Sequence, residues 1–496
     1  MDEIGVVVSP SGMNVFELVL TERAGLTRGD YCVFKHPVSG SLCLARIFAG
    51  SAKNPEMFSL SFGALLAKRG IKMGNEQEVV VLKAEALGYM DADGSFNRMD
   101  FPPSPGSTVH RADETLIRHF LKYQRGLQID VGVDPYSGIP IQLSLDLLTK
   151  GHVSICGMTR SGKTSFVMSL IEACSTKVPA GRFLVFDRYG EYNPLVANGM
   201  ARILDYRELQ SLQSLRRETI ASMFGLTTER ASGRFLATAV RDIIQYGGEI
   251  DRENILSLAE KHVKRDRSRI LGEIEASLNR HRKNLEKLTN MSYESPSVVR
   301  LLTEKPVIII DLSTDPDIRG QQTVLTSVLE ELFAAATASK GEEFTCLVVV
   351  EEAQFYAPEK GAPTFGDPFG TKSLDMLAAC CSQLGGYNIG FMIMTQRPAY
   401  VSKALLAQCN THLVFRLMSG ADHDQIASVT GYPKNRISEL VSGLKDHRAL
   451  IVGMAAPFEF PVFIETDVRR YPQKATITAS EVLEKIETIP QLKSRL

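Results

Sequence analysis

Gly157-Met158-Thr159-Arg160-Ser161-Gly162-Lys163-Thr164 completes the pattern G-x-x-x-x-G-K-[ST], and it stands in the context that the pattern needs. The apolar run Val153-Ser154-Ile155-Cys156 leads in as a buried strand. Ser165 to Ala173 leads out as a helix with Phe166, Val167, Leu170 and Ile171 on one side. Gly157 and Gly162 permit backbone conformations that aim N–H groups at a β-phosphate, and the new helix adds the positive end of its dipole. Lys163 reaches the β- and γ-phosphates, and the Thr164 hydroxyl can ligate Mg²⁺. The stretch from Gly157 to Ser165 is therefore expected to hold a nucleoside triphosphate; a glycine-containing turn that matches by chance would lack the strand and the helix.

Such loops serve many chemistries, so the polar ends of other strands must narrow the function. Leu347-Val348-Val349-Val350 is a β-branched run too short for a helix, and it ends at Glu351-Glu352-Ala353. This predicts a central parallel strand with two carboxylates at its C-terminal end. Adjacent side chains on an extended chain point to opposite sides, which lets Glu351 join the Mg²⁺ shell while Glu352 orients and polarises the attacking water. The plainer alternative is an exposed acidic strand end. Ile389 to Thr395 is a further buried strand, delivering Gln396-Arg397-Pro398. Gln396 is a candidate to sense the γ-phosphate or the lytic water; capping a turn before proline is its alternative role. His412 to Leu417 carries Arg416, and Phe183 to Phe186 carries Asp187 into Arg188-Tyr189-Gly190-Glu191-Tyr192. Apolar strands with polar C-terminal ends, separated by helices, describe an α/β, RecA-like core with a parallel-rich sheet.

Taken in order, the phosphate loop, Asp187-x-x-Gly190-Glu191-Tyr192, Glu351-Glu352-Ala353, Thr395-Gln396-Arg397-Pro398, and Asn410-Thr411 leading to Arg416 and Asp422 resemble the HerA branch of the HerA/FtsK superfamily. The likeness spans nearly the whole chain. It implies an ATPase using Mg²⁺, assembled as a hexameric ring that translocates double-stranded DNA through its lumen, beside a NurA-type nuclease in end processing. Asp187 then becomes a candidate to act on Mg²⁺ through its waters. The chain departs from the family pattern at two places. Family members carry Gly-Arg-Lys before the Gln-Arg-Pro strand and an Arg before the His that opens the loop strand, and these cations complete the site across the subunit boundary. Here the positions read Leu384-Gly385-Gly386, and Gly151 before His152. Lys150, Arg160, Arg397 and Arg416 are the available substitutes. Arg416 is the preferred trans cation, with pairing to a carboxylate such as Asp422 as its alternative role.

Residues 1–100 alternate in short segments, at Val6 to Val8, Val15 to Leu20, Tyr31 to Lys35, Leu42 to Ile47 and Val79 to Lys83, parted by Ser/Pro/Gly turns. This predicts a small N-terminal β-barrel, which in the resembled family stacks the subunits and meets partners. Phe101-Pro102-Pro103-Ser104-Pro105-Gly106 reads as a linker opening residues 101–150, with a short helix from Asp113 to Tyr123 before the core at 151–470. A helical insertion is expected over about residues 205–291, with a stripe of Leu271, Ile274, Leu278, Leu285 and Leu288. Its cations, Lys261, Lys264, Arg265, Arg267, Arg269, Arg280, Arg282 and Lys283, form either a solvated helix face or a DNA- or partner-facing surface. The tail, 471–496, suggests an exposed segment with a short helix from Ser480 to Thr488.

The 496 residues, 44% of them apolar, suffice for a large core and more than one domain. A net charge of −1 leaves no global basic footprint, so DNA contact must come from a local surface such as a ring lumen. Eight cysteines without C-x-x-C spacing read as reduced thiols in a cytoplasmic protein, and the nine histidines suggest no structural metal. No apolar run approaches the roughly 18 residues of a membrane span. A DNA translocase is favoured. A slowly hydrolysing ATP-binding ring scaffold is kept open by the missing cations, and a secretion or conjugation motor is disfavoured.

Overall fold

The computed structural model describes residues 2–21, 25–53, 79–122, 126–209, 211–212, 215, 217–314, 318–362, 371–467 and 471. The chain divides into two compact units, residues 1–177, 396–399 and 407–496 in the first and 178–395 and 400–406 in the second.

In the first unit, alternation of buried and exposed side chains bends the N-terminal strands around an apolar centre. Val15–Leu20, Glu3–Val8, Thr108–Arg111, Tyr31–Lys35, Leu42–Lys53 and Val79–Met90 pair in that order, and Val79–Met90 pairs back onto Val15–Leu20 to close a barrel. Phe16, Leu18, Phe34 and Ile47 fill it, and the Phe16 and Phe34 rings meet edge-on at 5.2 Å. The barrel thus runs past residue 100 to Arg111. The Pro-rich stretch expected as a linker is a loop inside it, held by the Ser11 hydroxyl on the Pro103 carbonyl and by Gly106 N–H on Val7. Asp113 caps the helix Glu114–Arg118, whose end falls short of the expected one; Tyr123 lies outside the described residues.

Beside the barrel in the same unit, Val153–Cys156 runs parallel to Thr411–Val414, and antiparallel pairing continues through Arg448–Gly453, Val462–Glu465, Gln128–Val133 and Pro140–Ser144. A buried cation ties the barrel to this sheet. Arg46 donates to Glu85 at 3.1 Å and to the Pro461 carbonyl at 2.7 Å, while Arg436 also pairs with Glu85 and stacks on Phe48.

In the second unit the strands Ala201–Asp205, Val307–Asp311, Arg182–Asp187, Cys346–Val350 and Ile389–Thr395 lie in that order, all parallel. Their near-continuous apolar runs fit burial on both faces. The expected insertion is helical, with Arg217–Met223, Ala231–Tyr246, Arg252–His262, Arg267–Arg280 and Arg282–Thr289 around their own core. Ile274, Leu278 and Leu288 of the expected stripe are buried there, and Leu271 and Leu285 pack against them. Among its cations, Arg267 pairs with Glu260 and Arg269 with Asp266 and Glu273. The tail helix expected from Ser480 to Thr488 lies outside the described residues.

Candidate active site

The phosphate loop belongs to the first unit. Val153–Cys156 is wholly buried and the helix Lys163–Lys177 starts at Lys163, so the loop spans the expected strand-to-helix turn. Gly162 adopts φ +108°, and a Cβ on it would lie 2.7 Å from the His447 imidazole; one on Gly157 would lie 2.5 Å from Phe415 Cβ. Both glycines are therefore required by space, and Gly162 by conformation as well. Lys163 is buried, its Nζ donating to the Gly157 carbonyl at 2.7 Å and the Met158 carbonyl at 2.9 Å. Thr164 and Ser165 begin the helix, whereas Met158, Thr159 and Arg160 are exposed, Arg160 with φ +63°.

Neighbouring strands fix the loop. Met158 N–H donates to the Arg416 carbonyl at 2.9 Å, Phe415 N–H to Cys156 at 2.8 Å, and His447 N–H to Ser161 at 2.9 Å. Gln396 reaches the loop through its Oε1, which accepts from the Thr159 hydroxyl at 2.5 Å. Arg416 follows a strand that ends at Val414, and its guanidinium pairs with Asp446 at 2.8 Å and donates to the Leu444 carbonyl at 3.4 Å. The carboxylate considered for it, Asp422, is instead buried against Arg397 at 3.3 Å and accepts from Ala399 N–H at 3.1 Å. Lys150 is exposed in the last turn of Leu145–Gly151. Behind the loop strand, buried His412 and Ser154 share a 2.7 Å hydrogen bond, and burial pushes the imidazole down to about 4.

The acidic residues belong to the second unit. Cys346–Val350 is buried throughout, and Glu351 and Glu352 follow its end, 3% and 5% exposed. Alternation along an extended chain is not what separates the two carboxylates, because the strand stops at Val350 and Glu352 turns into the left-handed region at φ 50°, ψ 51°. That conformation is costly for a non-glycine residue and collects at functional sites. Burial raises the Glu351 carboxyl well above the usual range, and the charges of Asp187, Glu191 and Glu352 add to the effect. Asp187 spends both oxygens on the following loop: Oδ1 accepts from the N–H groups of Tyr189 (3.1 Å), Gly190 (2.8 Å) and Glu191 (3.2 Å), and Oδ2 from Tyr192 (3.1 Å). Its direct work is to shape Gly190-Glu191-Tyr192.

This set fits a divalent cation. Crowded buried carboxylates with Glu351 held toward its protonated form are a charge problem that such an ion relieves. Among the described residues no group of His, Cys, Asp and Glu forms a multi-ligand metal cage. Mg²⁺ needs no such cage, since it takes one or two protein ligands beside phosphate oxygens and water.

Several residues near these carboxylates were not singled out from the sequence. Arg188 donates its backbone N–H to Glu351 at 3.3 Å, bonds Gln321, and stacks on Phe355 at 3.9 Å. Gln354 donates to Glu352 at 2.5 Å and accepts from the Thr395 hydroxyl at 2.7 Å. The sequence signals were slight: Arg188 directly follows Asp187, and Gln354 stands two residues beyond the acidic pair.

A phosphate loop, a parallel-rich sheet and acidic strand ends define a P-loop ATPase of RecA-like fold. The family model for the central domain of helicase HerA matches residues 129–332. The DNA double-strand break repair helicase HerA of Pyrococcus furiosus is 21% identical, over 91% of this chain and 90% of its own. The protein so described in Saccharolobus solfataricus is 20% identical, over 91% and 89%. Among solved structures, VirB4 of Thermoanaerobacter pseudethanolicus aligns with a TM-score of 0.51 at 14% identity, covering 71% of this chain and 100% of its own, a likeness of fold. Over nearly its whole length the chain is thus similar to these HerA helicases.

Proposed function

We propose that this chain is an ATP-driven DNA translocase or helicase of the HerA type, working as a ring of six subunits, with duplex DNA in the lumen and a NurA-type nuclease as partner in end processing. The observation that carries the reading is the intact phosphate loop with Gln396 bonded to its Thr159, which supports a sensing role for that amide. In this reading Lys163 binds the β- and γ-phosphates, and Thr164 and Glu351 hold Mg²⁺, which supplies charge neutralisation at the phosphates. Glu352 orients the attacking water and draws on its proton, and Gln396 reports the γ-phosphate. Asp187 supports Glu351 by shaping its loop. In this reading the protein works in the cytoplasm, beside the DNA it would act on. Among the described residues no helix is long and apolar enough to cross a membrane.

Lys163→Ala and Glu352→Gln test these roles. Lys163→Ala should lose productive nucleotide binding, because the cation facing the transferring phosphoryl group is gone, whereas Glu352→Gln should bind ATP and barely turn it over. Nucleotide titration and phosphate release read both, and parental turnover in Glu352→Gln would remove that carboxylate from catalysis.

One observation favours a second reading, a slowly hydrolysing ring scaffold for a partner effector. Arg416 is paired with Asp446 of its own chain at 2.8 Å. Hydrolysis that linear duplex DNA fails to stimulate would favour the scaffold.

A further inference from the structure

Glu352 leaves its strand in a left-handed conformation, and one more turn of chain, Ala353–Phe355, brings the side chain of Gln354 back toward it. Gln354 Nε2 donates to Glu352 Oε2 at 2.5 Å. The other end of the same amide is also occupied, since Thr395 Oγ1 donates to Gln354 Oε1 at 2.7 Å. Thr395 is fully buried and closes the strand Ile389–Thr395. The directions are forced. A carboxylate can only accept, so the amide nitrogen must face Glu352, and the oxygen left over must take the Thr395 proton. Each bond fixes the orientation that the other needs.

We propose that Gln354 is a positioning residue that holds the Glu352 carboxylate in its working orientation, with Thr395 as the anchor that sets the amide. The inference rests on the reading of Glu352 as the water-orienting group. Glu352 stands between the end of its strand and the short turn Ala353–Phe355, and its backbone carbonyl accepts from Phe355 N–H at 2.9 Å, which fixes the main chain but not the carboxylate; the Gln354 bond contributes that direction.

The test is steady-state ATP hydrolysis by the full-length chain, with nucleotide affinity measured separately. Gln354→Ala should lower kcat about tenfold or more and leave KM and nucleotide affinity within about twofold, because orientation is needed in the transition state rather than for binding. Gln354→Glu keeps the shape and removes the donor, so it should be at least as impaired as alanine; if a role in packing were the whole story, it would restore activity. Thr395→Val should reproduce part of the kcat loss and Thr395→Ser should recover it. Parental kcat in both Gln354 variants, with Glu352→Gln inactive, would overturn the positioning role and leave the catalytic assignment standing. An active Glu352→Gln would instead overturn the reading beneath it.

Discussion

At the residue scale the chain places its strain and its buried charge at the same few positions. Glu352 holds φ 50° and Glu351 is buried among acidic neighbours, so backbone strain and crowded buried charge coincide at this end of the sheet. His412 offers a cleaner reading of burial. Its pKa falls from 6.5 to about 4 in the folded chain, so between those values the unfolded chain binds the extra proton. Stability contributed by the neutral imidazole is complete above the unfolded value and is lost as pH falls toward 4, by on the order of 3 kcal/mol at most. Thermal melts of the parent and of His412→Gln across this range should diverge, the parent losing more on acidification; parallel curves would show that the imidazole is not held neutral. Gly162 is the second residue-scale case. Alanine there would sit at φ +108° and press its Cβ against His447, so Gly162→Ala should weaken nucleotide binding about tenfold or more, as a titration would show. Unchanged affinity would mean that the loop relaxes without cost.

At the element scale, what could be read from the sequence was what local pattern encodes. The strand-loop-helix around Lys163 is contiguous, and every part of its chemistry lies within a dozen residues. The buried strands at Phe183, Leu347 and Ile389 were legible because each is a β-branched or aromatic run between breaks. The last barrel strand, Thr108–Arg111, was not, since it is four residues long and its partners are Glu3–Val8 and Tyr31–Lys35, far away in sequence; the Pro-rich stretch before it imitates a linker. The alternation argument for Glu351 and Glu352 failed for a related reason, as nothing in five apolar letters says where pairing stops. Gln354 escaped notice because its role depends on Thr395, a residue 41 positions on. The barrel's attachment is a tertiary matter too. Arg46 is 1% exposed and joins Glu85 to the Pro461 carbonyl, so Arg46→Met leaves buried polar groups short of a donor, although Arg436 remains on Glu85. A cost of about 2 to 4 kcal/mol is expected, seen as a lowered melting temperature. A melt equal to the parent's would show that this buried cation does not stabilise the attachment.

At the scale of the whole molecule, the proposed motor needs neighbours. Closed assemblies follow from an interface that each subunit repeats, and a six-membered ring is the expectation for this chain in mass photometry. A monomer at micromolar concentration with full ATPase activity would exclude a ring mechanism. The cations that the resemblance led one to expect across a subunit boundary have no counterpart at Gly151 or Leu384-Gly385-Gly386, and Arg416 is engaged within its own chain through Asp446 while its carbonyl holds Met158 of the phosphate loop. Mixing Arg416→Ala with Lys163→Ala subunits separates the roles: recovery of activity would place Arg416 across a subunit boundary, and the clasp within one chain gives none. The central claim, that ATP turnover at Glu352 drives movement on DNA, is tested most directly by phosphate release from the parent and from Glu352→Gln, each with and without linear duplex DNA. The expected result is a parent rate that rises with DNA and a variant that binds ATP, yet stays near background in both conditions. A parent rate indifferent to DNA, or a variant that hydrolyses as the parent does, would contradict it.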